Sequence, residues 1–250
     1  MKDAEIQEKL INRFSMAQTP FGRWRLNLYV KFKRVAWNVV VGGTLFVKRV
    51  LDIVISIFAI ILLLPLFVII GILVKMDGGP MIFRQTRIGL RGREFKMYKF
   101  RSMCLDAEAR LAELLKHNEK KEGVTFKMKD DPRITKIGRF IRKASIDELP
   151  QFFNVLQGDM SLVGPRPPVP REVALYTQED RRRFGAKPGI TCIWQVGERE
   201  GGVFEIGDRN SIDFKEQVHL DVRYIESQSV WKDLWLLAKT VPAILFGKGV

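Results

Sequence analysis

The stretch KRVLDIVISIFAIILLLPLFVIIGILVK, residues 48–75, decides the fold. From Ile53 to Val74 it runs 22 residues without a charge. As a helix that run is about 33 Å long, enough to cross a hydrocarbon core of about 30 Å. It starts about 50 residues into the chain and no small-residue cleavage site follows Val74, so it does not read as a signal peptide.

Two features complicate a simple span. Pro65, near the middle, removes a backbone N–H and clashes with the carbonyl four residues back, which kinks or breaks a helix. The flanks are also equally basic. Lys31, Lys33, Arg34, Lys48 and Arg49 stand on one side, and Lys75, Arg84, Arg87, Arg91 and Arg93 on the other. Both ends then prefer the cytoplasmic side. A helix that enters, bends at Pro65 and returns satisfies both, with arms of about 11–12 residues that are each too short to cross. Proline is tolerated in spanning helices, so these residues leave both the span and the re-entrant hairpin open. Asp52, close after Lys48 and Arg49, reads as an interfacial ion pair rather than a catalytic group.

The whole chain carries 42 Lys+Arg against 28 Asp+Glu, a net charge of +14. This points to an anionic partner as well as a membrane. Nucleic acid explains the charge but not the uncharged run, and no finger, RRM or basic-zipper pattern occurs, so no nucleic-acid partner is expected. With only Cys104, Cys192, His117 and His219, a disulfide framework and a Cys-rich zinc site are excluded, and little room is left for His-based metal or triad chemistry.

The remaining pattern is mainly helical with one small hairpin. Residues 3–16 read as a short amphipathic helix, and residues 21–49 as an aromatic and basic helix in the headgroup region. Residues 81–101 read as a β-hairpin turning at Gly89–Gly92, and 105–121 as a helix that begins acidic and ends basic. A polar loop follows over 123–135. Residues 136–158 read as helix interrupted near Ser145–Pro150. The segment 163–170, with four prolines, excludes regular helix and central strand. Residues 171–184 read as helix, 187–190 as a turn, 197–210 as a glycine-containing loop, and 213–240 as helix. The tail from Val230 to Phe246 is amphipathic.

No GxGxxG, GxxxxGK[ST], HExxH, GxSxG or Asp-x-Asp motif is present. Any chemistry therefore falls to carboxylates, arginines and lysines. SIDELPQFF (145–153) holds the adjacent acids Asp147 and Glu148. Ser145 and Glu148 match a capping box, which by itself makes the acids only caps. The same geometry also suits a nucleophile. A helix N-terminus favours an ionised Asp147, Glu148 is a hard ligand suited to Mg²⁺, and Pro150 fixes where the helix begins. Arg139 and Arg142 precede the pair, and Arg166 and Arg171 follow it. Arg166 lies between Pro165 and Pro167, a rigid mount for a phosphate clamp. Together these are parts for phosphoryl transfer on a lipid phosphate.

The chain resembles the monotopic phosphoglycosyl transferases, the bacterial sugar transferase family. The resemblance runs from Lys48 to about Lys239. It rests on KRVLDIVIS with its mid-segment proline, GGPMIFRQTRIGLRGREFKMYKFRSM, DDPRITKIGRFIRKASIDELPQFFNVLQGDMSLVGPRP, KPGITCIWQV and LDVRYIESQSVWKDLWLLAKT. It implies transfer of a hexose 1-phosphate from a UDP-sugar to polyprenyl phosphate, with release of UMP, as the first membrane step of surface polysaccharide synthesis. Asp147 then matches the nucleophile of a covalent intermediate and Glu148 the Mg²⁺ ligand. Lys99 in YKFRSM, Arg142 in IRKASIDE, Arg166 in GPRP and Arg199 in QVGERE match the substrate-binding basic positions. The loop after QV reads GEREGG where the family often has V-x-G-R, and Leu64 stands before Pro65 where members carry serine or another residue.

The resemblance also selects the re-entrant hairpin. It implies residues 1–47 as an amphipathic basic extension, 48–76 as the re-entrant membrane helix, and 77–250 as a cytosolic catalytic domain with an amphipathic C-terminal helix. The fold class is then mainly α with a small β-hairpin (α+β), seated on membrane lipid at the cytoplasmic face of a bacterial inner membrane. The first 47 residues lack the multi-helix N-terminal half of some members, so the chain reads as the catalytic unit with a lead-in. Self-association into a homodimer and the identity of the sugar are left open. The competing reading is a basic, membrane-anchored binding module without catalysis, which would not need Asp147 and Glu148.

Overall fold

Helix α1 spans Pro20–Leu62 and helix α2 spans Leu64–Lys75, and the break between them falls at Leu63. Pro65 stands in the first turn of α2, where its missing N–H costs the new helix nothing but leaves Ile61 without its i+4 donor. The segments Gly42–Leu62 and Leu64–Lys75 are bent by 64°. Among the described helices none is by itself long and apolar enough to cross a membrane, whereas this bent pair meets that test together. The structure is a computed structural model that describes residues 14–15, 17–114, 131–197 and 212–246. Most of the expected helix 3–16, part of the helix and loop between 105 and 135, and nearly all of the 197–210 loop lie outside those residues.

The chain divides into two compact units, Met1–Lys48 and Arg49–Val250. In the first, α1 begins at Pro20 and exposes Phe21, Trp24 and Phe32; Phe21 and Trp24 stack at 5.9 Å and Lys33 sits 4.9 Å over the Tyr29 ring. The helix expected to end at residue 49 instead continues to Leu62. Gly42 and Gly43 cost a helix about 1 kcal/mol each, and the first residue that cannot donate a backbone bond is Pro65.

The second unit is mostly helical, with two small sheets. Strands β1 (Ile82–Ile88) and β2 (Glu94–Phe100) form the expected antiparallel hairpin, with Phe83 opposite Lys99 and Arg87 opposite Phe95. Helices α3 (Ala107–Leu114), α4 (Lys136–Lys143) and α5 (Gln151–Gln157) follow. Strands β3 (Ser161–Val163) and β4 (Gly189–Thr191) pair in parallel, a sheet the sequence did not announce because each strand is only three residues long. They approach so closely that a Cβ on Gly189 would lie 2.1 Å from the Gly164 nitrogen.

Two expected helices are shorter than read. Residues 171–184 divide into α6 (Pro170–Val173) and a 3₁₀ turn at Asp180–Gly185. Thr177 and Asp180 cap each other there, side chain to backbone in both directions, and end any continuous helix. Residues 213–240 divide into α7 (Phe214–Glu226) and α8 (Val230–Phe246), because Ser229 Oγ accepts from the Lys232 N–H and starts a new helix.

The main core gathers Met97, Val155, Leu162, Ile193, Trp194, Leu220, Tyr224 and Leu236. Tyr224 ties it together, donating to the Val163 carbonyl (3.2 Å) and Asp233 (2.6 Å). A second core joins the inner face of α2 to the rest. Ile70 and Val74 meet Phe100 and Ile141, with Phe67, Ile146 and Leu149 packed around them. The outer face of the bent pair, including Phe58, Ile61, Leu64, Val68, Ile69 and Ile72, is exposed.

The anchor of α1 differs from the interfacial ion pair expected at Asp52. Asp52 is buried and accepts from the Leu162 N–H at 3.1 Å, and Arg49 donates to the Val155 and Leu156 carbonyls. The carboxylate is positioned to satisfy a strand donor and Arg49 the open carbonyls at the end of α5. At the other end of the pair, Arg101 is buried and donates to Asp77 and to the carbonyls of Val74 and Pro80.

Candidate active site

The side chains singled out from the motifs alternate with core anchors. Lys99 precedes Phe100 on β2, Arg142 follows Ile141 on α4, and Asp147 and Glu148 lie between Ile146 and Leu149. All four of these apolar partners belong to the second core. Burying the anchors against α2 therefore turns the charged neighbours toward a common space.

Two close fits hold the elements in place. A Cβ on Gly138 would lie 1.9 Å from the Ser102 carbonyl oxygen, so only glycine lets α4 lie against the strand end. Asn154, fully buried on α5, accepts from the Tyr98 N–H (2.9 Å) and donates to the Lys96 carbonyl (2.7 Å). It acts as an extra strand along β2 and fixes Lys99 over the acid pair.

The acids sit in a 3₁₀ turn, Ile146–Glu148, between α4 and α5. The expected capping box does not form. Ser145 takes a left-handed φ of 54° and its side chain caps nothing, because a cap needs extended backbone at that position. Such a conformation at a non-glycine residue costs on the order of 1–3 kcal/mol. Pro150 does mark the start of α5, which begins at Gln151.

A cavity of about 680 Å³ opens over this turn. Lys99, Arg142, Asp147, Glu148 and Arg166 all line it, together with Arg139 and Arg171. Arg199 lies outside the described residues. The Lys99 ammonium is 2.7 Å from Glu148 Oε1 and 3.8 Å from Asp147 Oδ2. It holds two like charges side by side and touches both.

Asp147 is buried and its side chain is only 10% exposed, against 30% for Glu148. Burial pushes the Asp147 carboxyl above the usual range; Lys99 and then Arg142 pull it back, and Glu148 pushes it further up. The ionising helix N-terminus expected for Asp147 is thus replaced by two cations. On the neighbouring wall Asp131 and Arg133 form a buried pair, 2.6 Å apart. Arg133's hydrogen bonds outweigh burial and keep the Asp131 carboxyl low.

Sequence reasoning missed Arg87. In the sequence it belongs to the basic flank of the membrane segment, yet it is buried and lines the cavity. The signal was available in the hairpin: β1 and β2 alternate, so Phe83, Gln85 and Arg87 share the face that carries Lys99. Asn154 left no such signal, since its role depends on which strand edge lies beside α5.

A hard divalent cation would have Glu148, here ion-paired with Lys99 at 2.7 Å, as its carboxylate ligand. Glu148 offers a partly exposed carboxylate, and Mg²⁺ commonly takes one or two carboxylates with phosphate oxygens and water completing its shell. Among the described residues no cluster of three acidic, histidine or cysteine side chains forms an all-protein cage.

A family profile described as bacterial sugar transferase matches residues 43–247. The chain is 48% identical over 205 residues to galactosyl transferase CpsE of Streptococcus agalactiae, covering 82% of this chain and 43% of that protein. It is 42% identical over 219 residues to undecaprenyl-phosphate galactose phosphotransferase of Salmonella typhimurium, covering 86% and 44%. It is 38% identical over 206 residues to exopolysaccharide production protein ExoY of Sinorhizobium fredii, covering 81% and 87%. The chain thus spans less than half the length of the first two and most of the third. With the profile matched across most of its length, the chain belongs to the bacterial sugar transferase family.

Proposed function

We propose that this chain transfers a hexose 1-phosphate from a UDP-sugar to polyprenyl phosphate and releases UMP, by way of a phosphosugar carried on Asp147. The observation that carries the reading is the position of Asp147: buried at the cavity floor, 3.8 Å from the Lys99 ammonium, with Arg142 nearby. A carboxylate that is desolvated and still held charged by cations is an activated nucleophile.

In the first step an Asp147 oxygen attacks the sugar-linked phosphorus. A new P–O bond forms to the carboxylate, the bond to the bridging oxygen breaks, and its electron pair leaves with UMP. In the second step a phosphate oxygen of the polyprenyl phosphate attacks the same phosphorus. The Asp147–phosphorus bond breaks, the carboxylate is restored, and a lipid diphosphate sugar results. Lys99 and Arg142 balance the charge that builds on the transferred phosphoryl group. Glu148 would hold Mg²⁺, which when bound supplies charge neutralisation for the diphosphate. The two-step route lets donor and acceptor use one site in turn, with Asp147 the nucleophile of the first step and the leaving group of the second.

The membrane seat follows from the bent pair. Its outer face is apolar and exposed, its inner face is buried against the second core, and both of its flanks are basic. These support a re-entrant hairpin at the cytoplasmic face, with a lipid phosphate presented at the level of the cavity. The names of two relatives make galactose the first donor sugar to try. The test is UMP release by membrane-reconstituted protein given polyprenyl phosphate, Mg²⁺ and a panel of UDP-sugars. Lipid-dependent release with one sugar, abolished in Asp147→Asn, supports the reading; release undiminished in Asp147→Asn overturns it.

A further inference from the structure

The cavity extends beyond the acid pair into two lobes. Asp131 and Arg133 line one, and Arg142 acts on both Asp131 and Asp147, so this lobe lies beside the reacting carboxylate. Tyr176, Arg183, Trp194, Gln195, Phe214 and Gln217 line the other. The charges that act most on Asp147 are Lys99, Glu148 and Arg142, and none of them comes from this second lobe. Arg166, which acts on Asp221 there and on Arg87 in the hairpin, stands between the lobe and β1. The reaction as described so far uses nothing in the second lobe.

That lobe carries no spare charge. Arg183 is buried and pairs with Asp221, which is buried too, so the two neutralise each other. Asp221 also accepts from the Trp194 indole N–H at 3.1 Å, and Arg183 donates to the Tyr176 hydroxyl at 3.0 Å. This closed frame fixes the aromatic wall. Tyr176 lies 5.1 Å from Phe214, ring to ring, and stacks on Phe184 at 6.1 Å.

Two half-buried amides complete the lobe. Gln195 follows the Trp194 that the frame holds, and among the described residues its side chain has no hydrogen-bond partner. Gln217, near the start of α7, donates its Nε2 to the Ile212 carbonyl at 3.2 Å. That bond orients the amide. A carbonyl can only accept, so Nε2 faces Ile212 and Oε1 is left as an acceptor.

We infer that this lobe seats the base of the nucleotide donor, and that Gln217 selects uracil by accepting its N3–H. This rests on the proposed reaction. In an in-line transfer the leaving group departs opposite the nucleophile, so UMP extends away from Asp147. The sugar is joined directly to the reacting phosphate, whereas a phosphate and a ribose separate that phosphate from the base. The base therefore belongs in the lobe remote from Asp147. A neutral planar ring that stacks on aromatic side chains and hydrogen-bonds along its edge matches what the lobe offers. Uracil carries N3–H between two carbonyls, whereas cytosine has a bare N3 at that place. A fixed carbonyl oxygen on Gln217 accepts from the first and meets the second lone pair to lone pair. The Gln195 amide supplies a donor for a uracil carbonyl.

Calorimetry on the membrane-reconstituted chain tests this, with UMP and CMP as probes and the melting temperature measured alongside. The seat predicts that the parent takes UMP about tenfold or more tightly than CMP. Gln217→Met is expected to weaken UMP by about tenfold and to leave CMP within about twofold, so that the preference disappears. Gln195→Met is expected to weaken UMP by about threefold or more and, having no protein partner to lose, to keep the parent's melting temperature. A merely structural role for Gln217 would weaken UMP and CMP together, and that result overturns the seat. So does a parent with no preference for UMP, or a folded Gln217→Met that keeps the preference. If Gln217→Met does not fold, Gln195→Met decides, and unchanged UMP affinity there overturns the seat. Variants that change the choice among UDP-sugars with UMP binding intact place the sugar in this lobe and also overturn it. A phosphosugar adduct on Asp147 alongside an unmoved UMP preference in Gln217→Met sinks the seat and leaves the reaction standing. No adduct in the parent alongside a preference lost in Gln217→Met does the reverse.

Discussion

Lys99 and Glu148, 49 residues apart in sequence, meet across 2.7 Å at the floor of the cavity. Their ion pair joins the β-hairpin to the turn that carries Asp147, so one lysine both positions and charges the nucleophile. The acid pair is workable because of this cation. Two adjacent carboxylates, one of them buried, would otherwise drive each other toward protonation.

Replacing Lys99 by methionine removes that support. Activity is expected to fall by on the order of a hundredfold, the usual cost of losing one charged donor at a reacting centre. Lys99 pulls the Asp147 carboxyl down, so its loss lets burial and Glu148 push the group higher still. The acid limb of the pH–rate profile therefore moves to higher pH in Lys99→Met. A limb that stays in place contradicts the coupling.

Asp147 also burdens the fold. Its carboxyl titrates higher folded than unfolded, so the charged form is penalised above the folded value and the penalty vanishes below the unfolded one. Asp147→Asn is expected to melt higher than the parent at neutral pH, with the gain shrinking as the pH falls through the acid range. Scanning calorimetry across that range checks it, and a gain that grows toward acid contradicts it. The same variant should lose activity by on the order of a thousandfold or more.

Asn154→Ala leaves the Tyr98 N–H and the Lys96 carbonyl without their partner. At about 1–3 kcal/mol for each buried group left unsatisfied, a loss of about 3 kcal/mol is expected, read from denaturant titration. Lys99 loses its mount at the same time, so the activity of the folded fraction should fall too.

Gly138→Ala puts a methyl within 1.9 Å of the Ser102 carbonyl oxygen, a backbone atom that cannot swing aside. A loss of about 1–3 kcal/mol is expected, with α4 and Arg142 displaced from Asp147. Near-parental stability would mean that α4 can slide on the strand end.

Much of this site was legible in the chain. The uncharged run with Pro65 announced the bend, and the hairpin residues fell where turn glycines and alternation placed them. Asp147, Glu148, Lys99, Arg142 and Arg166 were found by motif, and all five line one cavity. Other features were not legible, for physical reasons. Ser145 looked like a cap, but a left-handed turn is set by the packing of Ile141 and Ile146 on either side. Asp52 looked interfacial because nothing in its own helix reveals a strand N–H more than a hundred residues away. Three-residue strands carry too little alternation to register. Arg87 shares the Lys99 face of the hairpin, which alternation makes readable, but its burial shows only once the hairpin is docked.

The account stands on a phosphosugar bound to Asp147, and intact-protein mass spectrometry tests that most directly. Membrane-reconstituted chain is mixed with Mg²⁺ and a reactive UDP-sugar, without polyprenyl phosphate, and quenched early. The account predicts a mass increase of one hexose phosphate, located on the peptide that carries Asp147, absent in Asp147→Asn and discharged by adding polyprenyl phosphate. UMP release that proceeds only when acceptor is present, with no adduct at any time, would contradict it and indicate direct transfer from donor to lipid.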